Sequence, residues 1–160
     1  MKKIALTLTL LFTAALLWAG KPVKVQTLIN EFRHHEGFES VSVGPLGLAL
    51  VKTIVLADDD LDSEDREVLR SFDQIRHLSI LDFEDGAEEV KARFVKKVRR
   101  ILDGMSLIVE VKDKGNHLSI YGTEKNGRLK DCILFDPNGT LICVRGTVCI
   151  DKLMAAVNND

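Results

Sequence analysis

The sequence predicts an α+β fold, in which an antiparallel-rich sheet carries helices mainly on one face and ends in a C-terminal four-strand meander. Before Met105, several segments have apolar residues at every third or fourth position, as amphipathic helices do. From Met105 onward the apolar period changes to two, which is typical of half-buried strands. Turn signals separate these alternating segments, so we expect neighbouring strands to form hairpins. Strands gathered into hairpins, with helices elsewhere, indicate the α+β class.

Residues 1–19 have the composition of a cleavable secretory signal peptide. Two lysines precede an apolar run at Ile4–Leu17, and small residues follow it. This run is shorter than the roughly 20 residues that span a bilayer, so we expect cleavage after Ala19 and no stable membrane anchor. Gly20 stands where a lipoprotein would carry its lipidated cysteine, so no lipid is expected. The chain is therefore predicted to be a leader followed by a single exported domain at 20–160, located in the periplasm.

The first part of this domain is predicted to contain a helix, a strand and a second helix. Thr27–His35 has one apolar side, and Gly37 follows it as a residue suited to the left-handed backbone that ends helices. Phe38, Val41 and Val43 mark the strand. Leu46–Ala57 is apolar on nearly every side, which predicts a deeply buried helix.

The middle of the domain continues the helical pattern. Asp62 and Ser63 are candidate caps for a helix that extends to Phe72, and Ile75–Phe83 is predicted to be a strand. Ala87–Leu102 is the clearest helix, because its apolar residues form a continuous stripe.

Four strands and a short terminal helix are predicted after Gly104. The turns between them are rich in glycine, asparagine and proline, which adopt the backbone angles that tight turns need. The strands are centred on Leu107–Val111, Leu118–Tyr121, Leu129–Phe135 and Leu141–Val148; the turns are Lys114–Asn116, Lys125–Gly127 and Asp136–Gly139; and the helix is Asp151–Val157.

The charge balance disfavours a nucleic-acid partner. The chain has 22 basic and 24 acidic residues and a formal net charge of −2, which gives an exported domain no electrostatic attraction for phosphate backbones. We expect the partner to be an envelope protein or a membrane-surface component. The candidate interaction face is one basic cluster on the Ala87–Leu102 helix. These basic residues complement the negative end of the helix dipole, and the alternative is that they bind an anionic partner such as phospholipid headgroups. Its residues are Lys91, Lys96, Lys97, Arg99 and Arg100.

Cys132, Cys143 and Cys149 are the candidates for thiol chemistry, because an oxidising compartment allows two of them to pair. A two-residue turn at 137–138 would place Cys132 opposite Cys143. A three-residue turn that includes Gly139 would place Cys132 opposite Val144, with the two sulfurs on opposite faces of the sheet. The turn sequence favours the second register, so we expect no disulfide there and mainly buried thiols.

No metal, cofactor or catalytic group is predicted. The acidic segment Asp58–Asp62 invites comparison with a calcium loop, but an EF-hand needs glycine at the position of Ser63 and glutamate at the position of Leu69. His34 and His35 point about 100° apart on a helix and cannot face one ion. We therefore favour a non-catalytic binding or envelope-regulatory module. The alternative is a hydrolase whose site combines acidic residues with two or more of the histidines, which are His34, His35, His77 and His117.

Five stretches of the chain carry a family resemblance, and they are Glu31–Gly37, Val41–Val43, Met105–Val111, Leu118–Tyr121 and Gly146–Leu153. They resemble the domain of unknown function family 4252, whose members are small exported proteins of Bacteroidetes-type bacteria. The family often has a methionine where this chain has Gly47–Leu50. The resemblance implies export and an α+β domain, transfers no catalytic residue, and implies a regulatory or sensing role because some relatives accompany envelope-stress sigma-factor systems.

Overall fold

The computed structural model describes residues 21–56, 74–113 and 116–151. Within them, six strands form one antiparallel sheet in the order β1-β2-β6-β5-β4-β3. This confirms the α+β class and the C-terminal meander, which is β3 to β6. The elements are α1 (Lys21–Phe32), β1 (Glu39–Val43), α2 (Pro45–Leu56), β2 (Ile75–Asp82), α3 (Glu88–Leu102), β3 (Ser106–Asp113), β4 (Asn116–Lys125), β5 (Arg128–Asp136) and β6 (Thr140–Cys149).

Several predicted features lie outside the described residues. These are the leader, the acidic segment at 58–62, the helix at 62–72 and the C-terminal helix beyond position 151. Among the described ranges, none of the helices has both the length and the apolar character that crossing a membrane requires.

Helices α1 and α3 cover one face of the sheet, which we call the first face. The apolar stripe predicted for α3 is confirmed, since Phe94, Val98 and Leu102 are buried on it. Four phenylalanine rings meet beneath the two helices, with Phe94 4.9 Å from Phe83 and 5.1 Å from Phe32 between ring centroids. The rest of this core comes from inward-facing strand residues, which include Leu81, Ile133, Phe135, Leu141 and Cys143.

Helix α1 holds its place on the first face through one polar contact as well. The Ser79 hydroxyl, which is fully buried, donates to the Gln26 side-chain oxygen. The helix ends at Phe32, earlier than predicted, and five turn residues follow it. Gly37 does adopt a left-handed backbone with φ of 75°, as predicted.

Helix α2 is less buried than its composition predicts. Ser42 bonds to Ser79 and so points to the first face, and strand alternation places Val43 on the opposite, second face. A Cβ atom at Gly47 would lie 2.8 Å from Val43, so α2 packs against the second face near the edge of the sheet. The prediction of deep burial is wrong, because Leu46 and Leu50 are 88% and 62% exposed. One side of α2 packs on β1 and β2, and the side that carries Leu46 and Leu50 remains in solvent.

The β5–β6 turn has the predicted three-residue register. Asp136 pairs with Thr140 and Ile133 pairs with Cys143, so Cys132 and Cys143 belong to the cores of opposite faces. Gly139 is not left-handed, unlike the glycine of a G1 bulge. Instead, a Cβ atom there would lie 2.9 Å from the Cβ of Glu84, so glycine permits close approach of the turn to the chain that follows β2.

Candidate functional site

Two irregularities in strand pairing coincide at one end of the sheet. The β5–β6 register shifts between Lys130 and Ile133, and the β2–β6 register shifts between Ile75 and His77. Asp131 and Gly146 both have positive φ there, at 50° and 129°. The Gly146 amide donates to the Asp131 carboxylate at 2.9 Å. Bulges of this kind redirect side chains and are over-represented next to binding sites.

A cavity of about 740 Å³ opens beside these bulges, and we call it the basic groove. Three basic side chains line it, together with one histidine and a single carboxylate, Asp131, which accepts a hydrogen bond from the Gly146 amide. The cavity therefore presents unbalanced positive charge. Its principal side chains are Arg76 and His77 from β2, Lys130 and Asp131 from β5, and Arg145 and Thr147 from β6.

A hydrogen-bonded chain connects the basic groove to the buried core. His77 Nε2 lies 2.9 Å from Ser42 Oγ, and Ser42 Oγ lies 3.3 Å from Ser79 Oγ. Ser79 in turn donates to Gln26 on α1. This series of hydrogen bonds fixes the His77 imidazole at the rim of the groove through groups that belong to the core of the fold.

The contact between Ser42 and His77 resembles the nucleophile–base pair of serine hydrolases, but other parts of such a site are missing. In residues 21–56, 74–113 and 116–151, no carboxylate is hydrogen-bonded to His77, whereas triads use an acid to orient the base. Ser42 is also shared with Ser79, which holds it on the sheet. Among the described residues, the contact holds the His77 imidazole against β1.

A second histidine contact lies on the β3–β4 hairpin. His117 Nε2 is 2.8 Å from Glu110 Oε1 and 3.4 Å from Ser119 Oγ. The hydrogen bond from His117, with a further one from Lys112, lowers the pKa of Glu110 below its ordinary range. Because one nitrogen contacts both the acid and the hydroxyl, His117 cannot relay a proton between them as a triad histidine does.

The remaining histidines do not join either cluster. His34 and His35 are exposed in the turn after α1, where the His35 ring packs 5.4 Å from the Phe32 ring. Among the described residues, no group of three or more histidine, cysteine or acidic side chains is placed to hold a metal ion.

The predicted basic face of α3 is divided by the fold. Lys91 binds Glu88 and the backbone carbonyl of Glu84, each at 3.0 Å. Lys97 pairs with Glu31 and lies 5.2 Å from the centre of the Phe32 ring, so it ties α3 to α1. The other three members remain exposed, and no ion pair within the described ranges holds them; they are Lys96, Arg99 and Arg100.

The cysteines form no disulfide with one another. Cys132 and Cys143 are buried, and Cys149 is half-buried at the end of β6. Burial raises the pKa of the Cys132 thiol to about 12 and that of the Cys143 thiol to about 11. Thiolates are the reactive form of cysteine, so burial suppresses nucleophilic chemistry at both positions.

We expect Cys132 and Cys143 to resist iodoacetamide in the folded protein at about pH 8, while Cys149 reacts because it is more exposed. Peptide mass spectrometry after alkylation measures this, and alkylation in urea, where all three should react, is the control. Rapid alkylation of Cys132 in the folded protein would contradict its burial.

The buried thiols also make stability depend on pH. The pKa values of Cys132 and Cys143 are raised above the ordinary value of 9.0, so these thiols favour the folded state below that pH. This contribution is lost as the pH rises toward 11 or 12.

The basic groove was not predicted from the sequence. Arg76, Lys130 and Arg145 are far apart in the chain, and only strand register brings them together. One local signal existed, since Gly146 interrupts a predicted strand and a glycine there indicates a bulge or a close backbone approach.

Comparisons with known proteins give one match. No curated protein and no solved structure matches this chain. A family model matches residues 32–156, which include β1 to β6, α2 and α3 and therefore both sides of the basic groove. The match confirms the resemblance found in the sequence, and the chain belongs to the family described as domain of unknown function DUF4252.

Proposed function

We propose that this protein is an exported, periplasmic, non-catalytic binding module that recognises an anionic group of an envelope partner in the basic groove. The observation that carries the proposal is the concentration of Arg76, Lys130 and Arg145 around one cavity with a single, already bonded carboxylate. Export is supported by the composition of residues 1–19.

The chemistry of the groove favours an anion. Arginine guanidinium groups form paired hydrogen bonds with carboxylate and phosphate oxygens, and Lys130 adds a point charge. The cavity of about 740 Å³ falls within the usual range of small-molecule sites, which is about 300–1,000 Å³. The chain as a whole has a net charge of −2, so the groove differs in sign from the average surface.

Titration with inorganic phosphate, followed by ¹⁵N–¹H NMR, tests the proposal. We expect saturable shifts of the Gly146 and Thr147 amides, which lie in the groove. The double variant Lys130→Glu/Arg145→Glu should lose them, because the attraction becomes repulsion. The matched control is Lys96→Glu/Arg100→Glu, which makes the same charge change on the outer side of α3 and should keep them. Shifts that are absent from the wild type, or that survive the groove variant, would refute anion recognition at this site.

The alternative function, a hydrolase, is favoured by one contact, the 2.9 Å distance between Ser42 Oγ and His77 Nε2. A fluorophosphonate probe discriminates between the two functions, because it labels only serines that an adjacent base activates. We expect no labelling of Ser42, since no acid orients His77 within the described residues. Labelling that disappears in both Ser42→Ala and His77→Gln would establish the hydrolase instead.

A further inference from the structure

An exposed apolar surface lies at the same end of the sheet as the basic groove. Leu46 and Leu50 are one turn apart on α2 and are 88% and 62% exposed. The side of α2 that carries them also includes Ala49 and Thr53, so the four exposed positions contain no charged residue. Val41 of β1, on the second face of the sheet, is 57% exposed as well. We call Val41, Leu46 and Leu50 the apolar edge.

Strand register places the apolar edge and the basic groove together. Val43, at the end of β1, pairs with Leu78 of β2, and α2 begins at Pro45. His77 is the next residue along β2, and it lines the groove. The groove opens where β1 has ended and α2 has begun. One end of the molecule therefore carries the cations of the basic groove and, on the second face of the sheet, the exposed leucines of α2.

We propose that this end of the molecule docks on the surface of an anionic lipid bilayer. The basic groove binds the phosphate of a lipid headgroup, and Leu46 and Leu50 enter the boundary between headgroups and acyl chains. The inference rests on the proposed function, because it names the bilayer as the source of the anion.

The combination of the two surfaces selects a bilayer over a soluble anion. A soluble phosphate would need the groove alone and would leave two highly exposed leucines unexplained. A bilayer presents an anionic headgroup layer above an apolar layer, and peripheral proteins bind it by combining basic groups with apolar groups that insert more deeply. Isolated exposed leucines are ordinary, but two that share a helix face at the same end of the molecule as a cationic cavity fit this arrangement.

Co-sedimentation with vesicles tests the proposal. Wild-type protein is expected to sediment with vesicles of phosphatidylglycerol and phosphatidylethanolamine but not with vesicles of phosphatidylcholine alone. Leu46→Ser/Leu50→Ser and Lys130→Glu/Arg145→Glu should each lower the apparent affinity about tenfold or more. Lys96→Glu/Arg100→Glu is the matched control and should change it less than about twofold, because neither side chain lines the basic groove or belongs to the apolar edge. All proteins are prepared in the mature form expected from cleavage after Ala19, so that the apolar leader cannot insert into the vesicles.

The outcomes separate the two proposals. If the wild-type protein does not bind anionic vesicles but phosphate still shifts the amides of the groove, bilayer docking is overturned and the partner is a soluble anion. Vesicle binding that needs the groove but not the leucines would also overturn it, since only headgroup binding would remain. If phosphate causes no amide shifts in the wild-type protein, the proposed function itself is refuted. Circular dichroism of each variant checks that the sheet is intact, and the exposed position of every substituted side chain favours that result.

Discussion

Replacing Phe94 by alanine is expected to lower the free energy of unfolding by about 3–5 kcal/mol, the usual cost of removing a buried aromatic ring. The Phe94 side chain is fully buried, and its ring centroid lies 5.1 Å from that of Phe32, 5.8 Å from Phe38 and 4.9 Å from Phe83. These partners come from α1, from the residue before β1 and from the residue after β2. The cavity left by alanine would therefore weaken several elements at once. Urea denaturation followed by circular dichroism measures the loss.

Arg93→Ala is the matched control for Phe94→Ala. Arg93 precedes Phe94 on α3 and is exposed, so its truncation should change the free energy of unfolding by less than about 0.5 kcal/mol. Helix propensity is hardly affected, because arginine and alanine are both good helix formers. A similar loss in both variants would show that α3 does not bury the side that the structure gives.

Gly37→Ala is expected to destabilise the fold by more than about 3 kcal/mol. Gly37 has φ of 75°, which disfavours any residue with a Cβ atom. A Cβ atom there would also lie 2.2 Å from the carbonyl oxygen of Asp85 and 2.6 Å from the amide nitrogen of Gly86. Both contacts are with backbone atoms, so no side-chain rotation relieves them. The turn after α1 and the loop before α3 would have to separate.

Gly127→Ala provides a control with nearly the same backbone. Gly127 has φ of 71° in the β4–β5 turn, but nothing lies within 4 Å of the Cβ position. Its substitution should cost about 1–2 kcal/mol, the penalty of the left-handed conformation alone. The difference between the two variants, measured by urea denaturation, isolates the cost of the contact with Asp85. Equal losses would mean that the two loops are not in contact.

The sequence was sufficient to predict the type and order of the described helices and strands, but not every boundary, since α1 spans Lys21–Phe32 and not Thr27–His35. The stripe on α3 and the alternation from Leu107 onward fixed both type and order of these elements. The three-residue register of the β5–β6 turn followed from Asp136–Gly139, and with it the separation of Cys132 from Cys143 onto opposite faces.

The burial of α2 could not be predicted from composition. An apolar helix such as Pro45–Leu56 has the same sequence pattern whether it is buried on both sides or on one side only. The pattern does not show how much of the helix surface finds a partner to pack against. Leu46 and Leu50 are exposed because they lie on the side of α2 that faces away from the sheet. The basic groove could not be predicted either, because its cations come from three strands and converge only where Asp131 and Gly146 disrupt the strand pairing.

The pairing of β2 with β6 has a consequence for the order in which the chain folds. The meander from β3 to β6 consists of neighbouring hairpins, so each of its pairings closes a short loop. The pairing of Asp82 with Thr140, by contrast, must bring together parts of the chain that are separated by α3 and most of the meander. Closing such a loop costs more entropy before any contact compensates for it. We therefore expect folding to begin in the meander, and the groove, which needs β2 against β6, can form only after this long-range pairing.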